Sequence, residues 1–313
     1  MKVSAVPYDG DSPMKPWPAL AARAFLLRDS SPGGDTIFFF DSPPEGSSAP
    51  SLQQPVLVLI HGLGDEADSW RHLIPQLNIR GYRVLALDLP GFGRSAARKK
   101  ISLGKHADAV VKLIEAVCPD APVFLVGNSM GADIAEIAAL RRPAQVRGFV
   151  LIDGSIPGGP ESPGFFVLAR ILFSHKWYRA YRGNPEKAWV SLYPYYANLD
   201  LMPRDDRDFM RQRVMARVES ATQERAYFAT QRSLVWAHIT ASSRLARKIK
   251  SYPGKILLLW GEKDRIIPLA SAKNFQALRQ DIGLEIIPGA GHLPQQENPT
   301  ETARRIVEFV EGL

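Results

Sequence analysis

The chain has 313 residues, is 45% hydrophobic and 23% charged, and carries a formal net charge of +7. That length can bury a large core as one big α/β domain with an insertion, and the composition is ordinary for a soluble globular protein. No apolar stretch approaches the ~20 residues needed to cross a bilayer, and the first twenty residues, studded with Pro7, Pro13, Pro16 and Pro18, lack the ~7–15-residue apolar centre of a secretory signal, so the expected location is the cytoplasm.

In chain order, residues 22–28 and 36–40 read as two strands joined by a turn through Asp29, Ser30, Ser31, Pro32, Gly33 and Gly34, a hairpin signal. Ser42 to Gln54, rich in Pro, Ser and Gly, reads as an exposed loop. Strands and helices then alternate. Strands are expected near 56–60, 83–87, 122–126, 148–152, 255–260 and 284–287. Helices are expected near 68–79, 105–117, 130–141, 271–280 and 298–311. This alternation implies a mostly parallel sheet, eight-stranded with the hairpin, flanked by helices on both faces. The lone Cys118 cannot form an intrachain disulfide, points to no metal site, and reads as a packed apolar residue.

The alternation breaks between Asp153 and about Lys250, where the readable periodicity is helical, as in Phe165–Phe173 and Phe209–Val218. The expected organisation is a core of residues 1–153 and 251–313, with residues 154–250 inserted as a helical cap over the carboxyl ends of the strands, where α/β sheets bind ligands. Aromatics crowd the first half of the insertion: Phe165, Phe166, Phe173, Trp177, Tyr178, Tyr181, Trp189, Tyr193, Tyr195 and Tyr196. Most should hold the cap together and pack it on the core, while a few line an apolar acyl or aryl pocket.

The most informative motif is Gly127-Asn128-Ser129-Met130-Gly131, between the apolar run 122–126 and an alanine-rich helical pattern. A Gly-x-Ser-x-Gly between strand and helix is a nucleophile elbow, in which a sharp turn presents the serine and excludes a Cβ two residues to either side. Three other strand ends keep it company. Val56–Ile60 runs into His61-Gly62-Leu63-Gly64, the place for an oxyanion donor; Ile256–Trp260 runs into Gly261-Glu262-Lys263-Asp264; Leu284–Ile287 leads to Gly289-Ala290-Gly291-His292. The order Ser, Asp, His, each just past a strand, is that of an acyl-transfer triad.

With Asp88-Leu89-Pro90-Gly91-Phe92-Gly93-Arg94-Ser95 as a fifth signature, the chain resembles the α/β-hydrolase superfamily over nearly its whole length. It is most similar to the capped serine esterase branch of carboxylesterases, pimeloyl-carrier methyl ester esterases and carbon–carbon hydrolases of aromatic ring degradation. The resemblance implies Ser129 as nucleophile, where dehalogenases and epoxide hydrolases carry Asp. His292 is then the base and Asp264 the acid that fixes its tautomer, and the backbone N–H groups of Leu63 and Met130 form the oxyanion hole. Asp153, also just past a strand, is the alternative acid; otherwise it shapes the start of the cap. Asn128 either contacts substrate or fixes the elbow. His61 is a possible substrate contact but reads as structural, because backbone amides do the work in such loops. Asp88 braces its own loop, and His72, His106, His175 and His238 read as surface or packing residues.

No metal or cofactor is expected. The histidines are scattered, His-Glu-x-x-His is missing, and Gly62-Leu63-Gly64 completes neither a Walker loop nor a dinucleotide fingerprint. Residues 155–250 hold twice as many Lys/Arg as Asp/Glu; this is either a solvated basic surface or a landing site for an acidic acyl-carrier protein. Neither a nucleic-acid nor a membrane partner is expected.

The expected activity is cleavage of small to medium, largely apolar carboxylic esters through an acyl-enzyme. A carbon–carbon hydrolase is the alternative, although Gly62-Leu63-Gly64-Asp65-Glu66 replaces the Gly-x-Gly-Pro-Gly of that group and Leu293, in place of the usual Trp, follows His292. Acyl-carrier methyl ester hydrolysis and a slow-turnover ligand-binding signalling role share the same fold and triad.

Overall fold

The computed structural model describes residues 1–5, 15–17, 20, 23–28, 36–46, 54–96, 100–142, 144–154, 176 and 178–312. The turn Asp29–Gly34, most of the loop Ser42–Gln54, the helix expected over Phe165–Phe173, and His175 lie outside the described residues.

Among the described residues the sheet has nine strands, one more than the eight expected: β1 (Lys2–Ala5), β2 (Arg23–Arg28), β3 (Thr36–Ser42), β4 (Val56–Ile60), β5 (Arg83–Leu87), β6 (Val123–Asn128), β7 (Val146–Ile152), β8 (Lys255–Gly261) and β9 (Gly283–Ile287). Their order is β1-β2-β3-β5-β4-β6-β7-β8-β9. The first three strands and the β3/β5 pair are antiparallel; the rest are parallel. The extra strand is four residues added antiparallel to the outer edge of β2, with Lys2 opposite Arg28 and Ala5 opposite Phe25. So short an edge strand has no periodic signal of its own.

The central strands are buried on both faces, and their side chains alternate between two cores. Val56, Val58 and Ile60 point into one with α2 (Leu103–Val117), α3 (Met130–Ala139) and α8 (Leu269–Gln276). Leu57 and Leu59 point into the other with α1 (Leu73–Ile79) and α10 (Pro299–Glu311). A continuous apolar run such as Val56–Ile60 is what a strand covered on both sides requires. Cys118 closes α2 and is buried, and burial pushes its thiol up to about 11.

Between β7 and β8 the described residues are helical: α4 (Pro185–Val190), α5 (Arg204–Glu219), α6 (Ala221–Thr240) and α7 (Ser242–Lys250). The helix expected over Phe209–Val218 is the later part of α5. No described helix is long and apolar enough to cross a membrane.

Candidate active site

Ser129 stands between β6 and α3 with φ 54° and ψ −123°, a conformation that costs a non-glycine residue of the order of 1–3 kcal/mol. The surroundings over-determine it. Its N–H donates to the Ile152 carbonyl at 2.8 Å. The glycines on either side are dictated by crowding: a Cβ at Gly127 would run into the Gly131 carbonyl, and one at Gly131 into the Ile60 carbonyl. The elbow is thus wedged between β4 and β6, which presents Ser129 at the carboxyl end of the sheet.

His292 lies in the loop after β9, before the short helix α9 (Pro294–Glu297). Its Nδ1 meets Asp264 Oδ2 at 2.9 Å, and both side chains are essentially fully buried. Asp264, in the loop after β8, accepts backbone N–H groups from Ile266 at 2.7 Å and Ile267 at 3.2 Å through its other oxygen. The His292 N–H donates to the Tyr195 carbonyl at 2.8 Å, so the insertion holds the imidazole loop in place. His292 Nε2 is buried without a hydrogen-bond partner. With Nδ1–H given to a carboxylate, Nε2 is the nitrogen left to accept a proton. Ser129 and His292 line one cavity; the serine does not hydrogen-bond Nε2 in this state, a common looseness in unliganded sites.

Asp153 follows β7 with φ 49° and is fully buried. One carboxyl oxygen accepts the Gly261 N–H at 2.8 Å, while Oδ2 lacks a conventional donor. Burial, and then the charge of nearby Asp264, raise its pKa well above the usual carboxylate range. Asp153, Asp264 and His292 are close enough together for three ligand atoms to surround a cation. The imidazole nitrogen on that side bonds Asp264 directly.

The turn Gly62–Leu63–Gly64–Asp65 packs against the elbow, closed by Asp65 N–H to Gly62 O at 3.2 Å. Neither the Leu63 nor the Met130 N–H has a backbone acceptor among the described residues. Asn128 borders the cavity, but its amide nitrogen donates to the Ile152 and His292 carbonyls at 3.2 and 3.1 Å, tying the elbow to the imidazole loop. His61 makes no approach to the cavity: Nδ1 bonds Gly62 O at 2.8 Å and Nε2 accepts the Leu89 N–H at 2.9 Å. Both side chains bond backbone groups around the site, and His61 is not among the residues that line the cavity. Asp88 accepts the N–H groups of Ala67 and Arg94, each at 2.7 Å, and so braces two loops. His106 is buried against Thr230, His72 pairs with Asp206, and His238 approaches Asp133 at 3.9 Å.

The cavity measures about 750 Å³ and is walled mainly by Leu63, Tyr178, Tyr195, Met210, Val214 and Tyr227. Of the aromatics singled out in the sequence, Tyr178, Tyr181, Tyr195 and Tyr196 line it, Trp189 packs in a buried cluster, and Tyr193 is exposed. Phe165, Phe166, Phe173 and Trp177 lie outside the described residues. The charged side chains on the described wall are Asp65 and Arg217, which pair at 3.2 Å.

One set of residues around the site escaped the sequence reading. Asp206, Arg213 and Arg217 of α5 face the segment 64–72. Asp206 pairs with Arg71 at 2.7 Å and His72 at 2.9 Å; Arg213 grips Glu66 with two guanidinium nitrogens; Arg217 reaches Gly64 and Asp65. Burial raises the Glu66 carboxyl, but Arg213 and Arg217 outweigh that and hold it at about 2. The signal was the spacing 206, 213, 217, one stripe along a helix.

The sequence pattern of the alpha/beta hydrolase family matches residues 57–305. This chain belongs to that family. Among the family's curated members, the pimeloyl-[acyl-carrier protein] methyl ester esterase of Methylococcus capsulatus is 27% identical, over 82% of this chain and 94% of its own. The 2-hydroxy-6-oxononadienedioate/2-hydroxy-6-oxononatrienedioate hydrolase of Cupriavidus pinatubonensis is 24% identical, over 88% of this chain and 92% of its own. Among solved structures, a bacterial membrane phospholipase A superposes with a TM-score of 0.70 at 26% identity, covering 94% of this chain and 87% of that one. Both curated relatives are hydrolases, as the family name requires of this chain.

Proposed function

We propose that this α/β hydrolase is a serine esterase that cleaves largely apolar carboxylic esters through an acyl-enzyme. Ser129 attacks the ester carbonyl while His292 Nε2 takes its proton, and Asp264 holds the imidazole in the required tautomer and stabilises the imidazolium. The Leu63 and Met130 N–H groups receive the oxyanion, a contribution of roughly 3 kcal/mol for each donor in such sites. His292 then protonates the leaving alcohol, and water repeats the sequence in reverse to free the acid. The insertion 154–250 serves as the cap that keeps this chemistry away from bulk water.

The observation that carries the reading is the combination at one cavity of a strained, exposable serine and an imidazole locked by a buried carboxylate with its second nitrogen unpartnered. The ester preference rests on the cavity wall. Its one cationic side chain, Arg217, is paired with Asp65, so the described wall offers no uncompensated positive charge for a dicarboxylate of the kind named in the Cupriavidus relative.

The test is a panel of p-nitrophenyl esters of increasing chain length, a dienone-acid ring-cleavage product and an acyl-carrier methyl ester, each with wild type and Ser129→Ala. Ester turnover abolished by the substitution is expected. Turnover of the dienone acid alone would move the assignment to carbon–carbon hydrolysis, and stoichiometric binding without turnover to a receptor.

A second reading, that the ester arrives on an acidic carrier protein, is favoured by one observation: residues 225–261, which include α7 and most of α6, contain no Asp or Glu. Carrier-ester turnover should then weaken steeply with salt while p-nitrophenyl ester turnover does not; a flat salt response for both rejects the carrier.

A further inference from the structure

The turn that carries Leu63 is held from two sides. From the core, His61 Nδ1 bonds the Gly62 carbonyl at 2.8 Å, and the same carbonyl accepts the Asp65 N–H that closes the turn. From the insertion, Arg217 Nη1 donates to the Gly64 carbonyl at 2.5 Å and to Asp65 Oδ1 at 3.2 Å. Gly64 has φ +74°, the positive value a type II turn demands at its third residue. Such a turn leaves the N–H of its second residue, Leu63, out of the closing hydrogen bond. That N–H shares a peptide plane with the Gly62 carbonyl, so its direction is set by what holds that carbonyl: His61 Nδ1 and the Asp65 N–H. Arg217 acts on the second of these, because it holds the Gly64–Asp65 peptide and the Asp65 side chain, and thereby the N–H that closes the turn.

Arg217 is itself well anchored. Its Nε lies 3.4 Å from the Arg213 carbonyl one turn back, and Arg213 is clamped to buried Glu66 immediately beyond the turn. Its side chain is 11% exposed. The guanidinium therefore belongs to a row of ionic contacts that docks α5 along residues 64–72, and it is the member of that row that touches the oxyanion turn.

We propose that Arg217 is a positioning residue for the reaction: by gripping the Gly64 carbonyl and Asp65 from the cap, it aims the Leu63 N–H at the site of the developing oxyanion. The inference rests on the serine esterase reading above. Its consequence is that the oxyanion hole is complete only with α5 docked, so that cap and core jointly make the catalytic site. A misdirected donor loses part of what a missing one loses, which in oxyanion holes is about 10²–10³-fold in kcat.

The experiment compares wild type, Arg217→Met, Arg217→Lys and Arg211→Met, which alters a neighbouring cap arginine on Trp189 away from the turn. The readouts are kcat and KM on p-nitrophenyl butyrate, the affinity of a boronic acid that becomes a tetrahedral anion on the serine, and the rate of phosphonate labelling of Ser129. Arg217→Met is expected to lower kcat about 10–100-fold with KM within about threefold. Boronate affinity should fall in parallel, Arg217→Lys should recover part of both, and Arg211→Met should behave as wild type. An unchanged kcat and boronate affinity in Arg217→Met overturns the proposal. So does a rise in KM confined to anionic esters, which would make Arg217 a substrate contact. If Arg217→Met fails to fold, Arg217→Lys carries the test: a single ammonium cannot hold both acceptors in the same geometry, and wild-type kcat and boronate affinity there overturn the proposal. Absence of turnover and labelling in the wild type itself would instead reject the esterase reading.

Discussion

Asp153 and Asp264 bring carboxyl oxygens within 4.8 Å of each other and of a His292 ring nitrogen, at the ends of the adjacent parallel strands β7 and β8. Two buried carboxyls this close do not both ionise readily, and here their roles diverge. Asp264 bonds His292 Nδ1 and accepts two backbone N–H groups. Asp153 has one N–H and is the member whose pKa is driven up, first by burial and then by the Asp264 charge. A neutral Asp153 can donate its proton toward Asp264, and asparagine mimics that acid. Asp264→Asn is therefore expected to lower kcat by about 10⁴-fold, and Asp153→Asn by less than about tenfold, about 1.4 kcal/mol. Steady-state kinetics on one p-nitrophenyl ester decides this; the opposite ranking would make Asp153 the acid of the triad.

Ser129 holds a φ of 54°, which strains the backbone of a non-glycine residue. Ser129→Ala should abolish ester turnover. Ser129→Gly should also be inactive, yet melt ~2–4 °C higher than wild type, since relief of about 1–3 kcal/mol exceeds the added chain entropy of glycine. Differential scanning calorimetry gives the answer; a Ser129→Gly variant that melts lower would show the elbow to be unstrained.

Glu136 of α3 is fully buried with both carboxyl oxygens unpartnered, and burial, then the charge of Asp133, raises its pKa well above the ordinary value. The folded state keeps the proton that the unfolded chain loses above about pH 4.5. Its contribution to stability is thus full below that pH and declines as pH rises toward the folded pKa, by about 1.4 kcal/mol per pH unit. Glu136→Gln abolishes this titration. The variant should gain on wild type in urea unfolding as pH rises above about 5, until the folded carboxyl itself ionises; a difference that does not change with pH would contradict a neutral buried Glu136.

The Arg213–Glu66 pair is almost solvent-free, with side chains 1% and 3% exposed. Removing one partner strands the other, so Arg213→Met or Glu66→Gln should each cost about 3–5 kcal/mol, while the double variant Arg213→Met/Glu66→Leu should recover most of it. Because Glu66 is held near 2, the stability this pair supplies is present above about pH 4.5 and is lost as pH falls toward 2. Additive losses in the double variant, from the same unfolding measurements, would mean that the two charges do not depend on each other.

Much of the fold was legible because its signals are local. Val56–Ile60 and Ile256–Trp260 are runs of the length and β-branched or aliphatic character that a two-sided strand needs, and Gly127 and Gly131 mark a place where backbone must approach backbone. Ser129, Asp264 and His292 were each flagged by position just beyond a strand. That criterion flagged Asp153 equally well, and only the resemblance of Gly261-Glu262-Lys263-Asp264 to the usual acid loop put Asp264 first. The distinction lies in which carboxyl reaches His292 Nδ1, a matter of loop geometry after β7 and β8. Likewise Asn128 sits in the motif whichever way its amide turns, and only the structure shows its amide nitrogen on the Ile152 and His292 carbonyls.

By itself the sequence determined the alternation of elements, the elbow and the order of the chemical groups, since these follow from backbone sterics and hydrophobic period within a few residues of each position. Only the tertiary structure decided that α5 clamps the turn Gly62–Asp65, that Arg217 is neutralised by Asp65, and that Glu66 and Arg213, 147 residues apart, meet in a nearly dry interface. Such contacts are fixed by desolvation and charge pairing between distant segments, and a charged residue on one helix stripe looks the same in sequence whether it faces water or a buried partner.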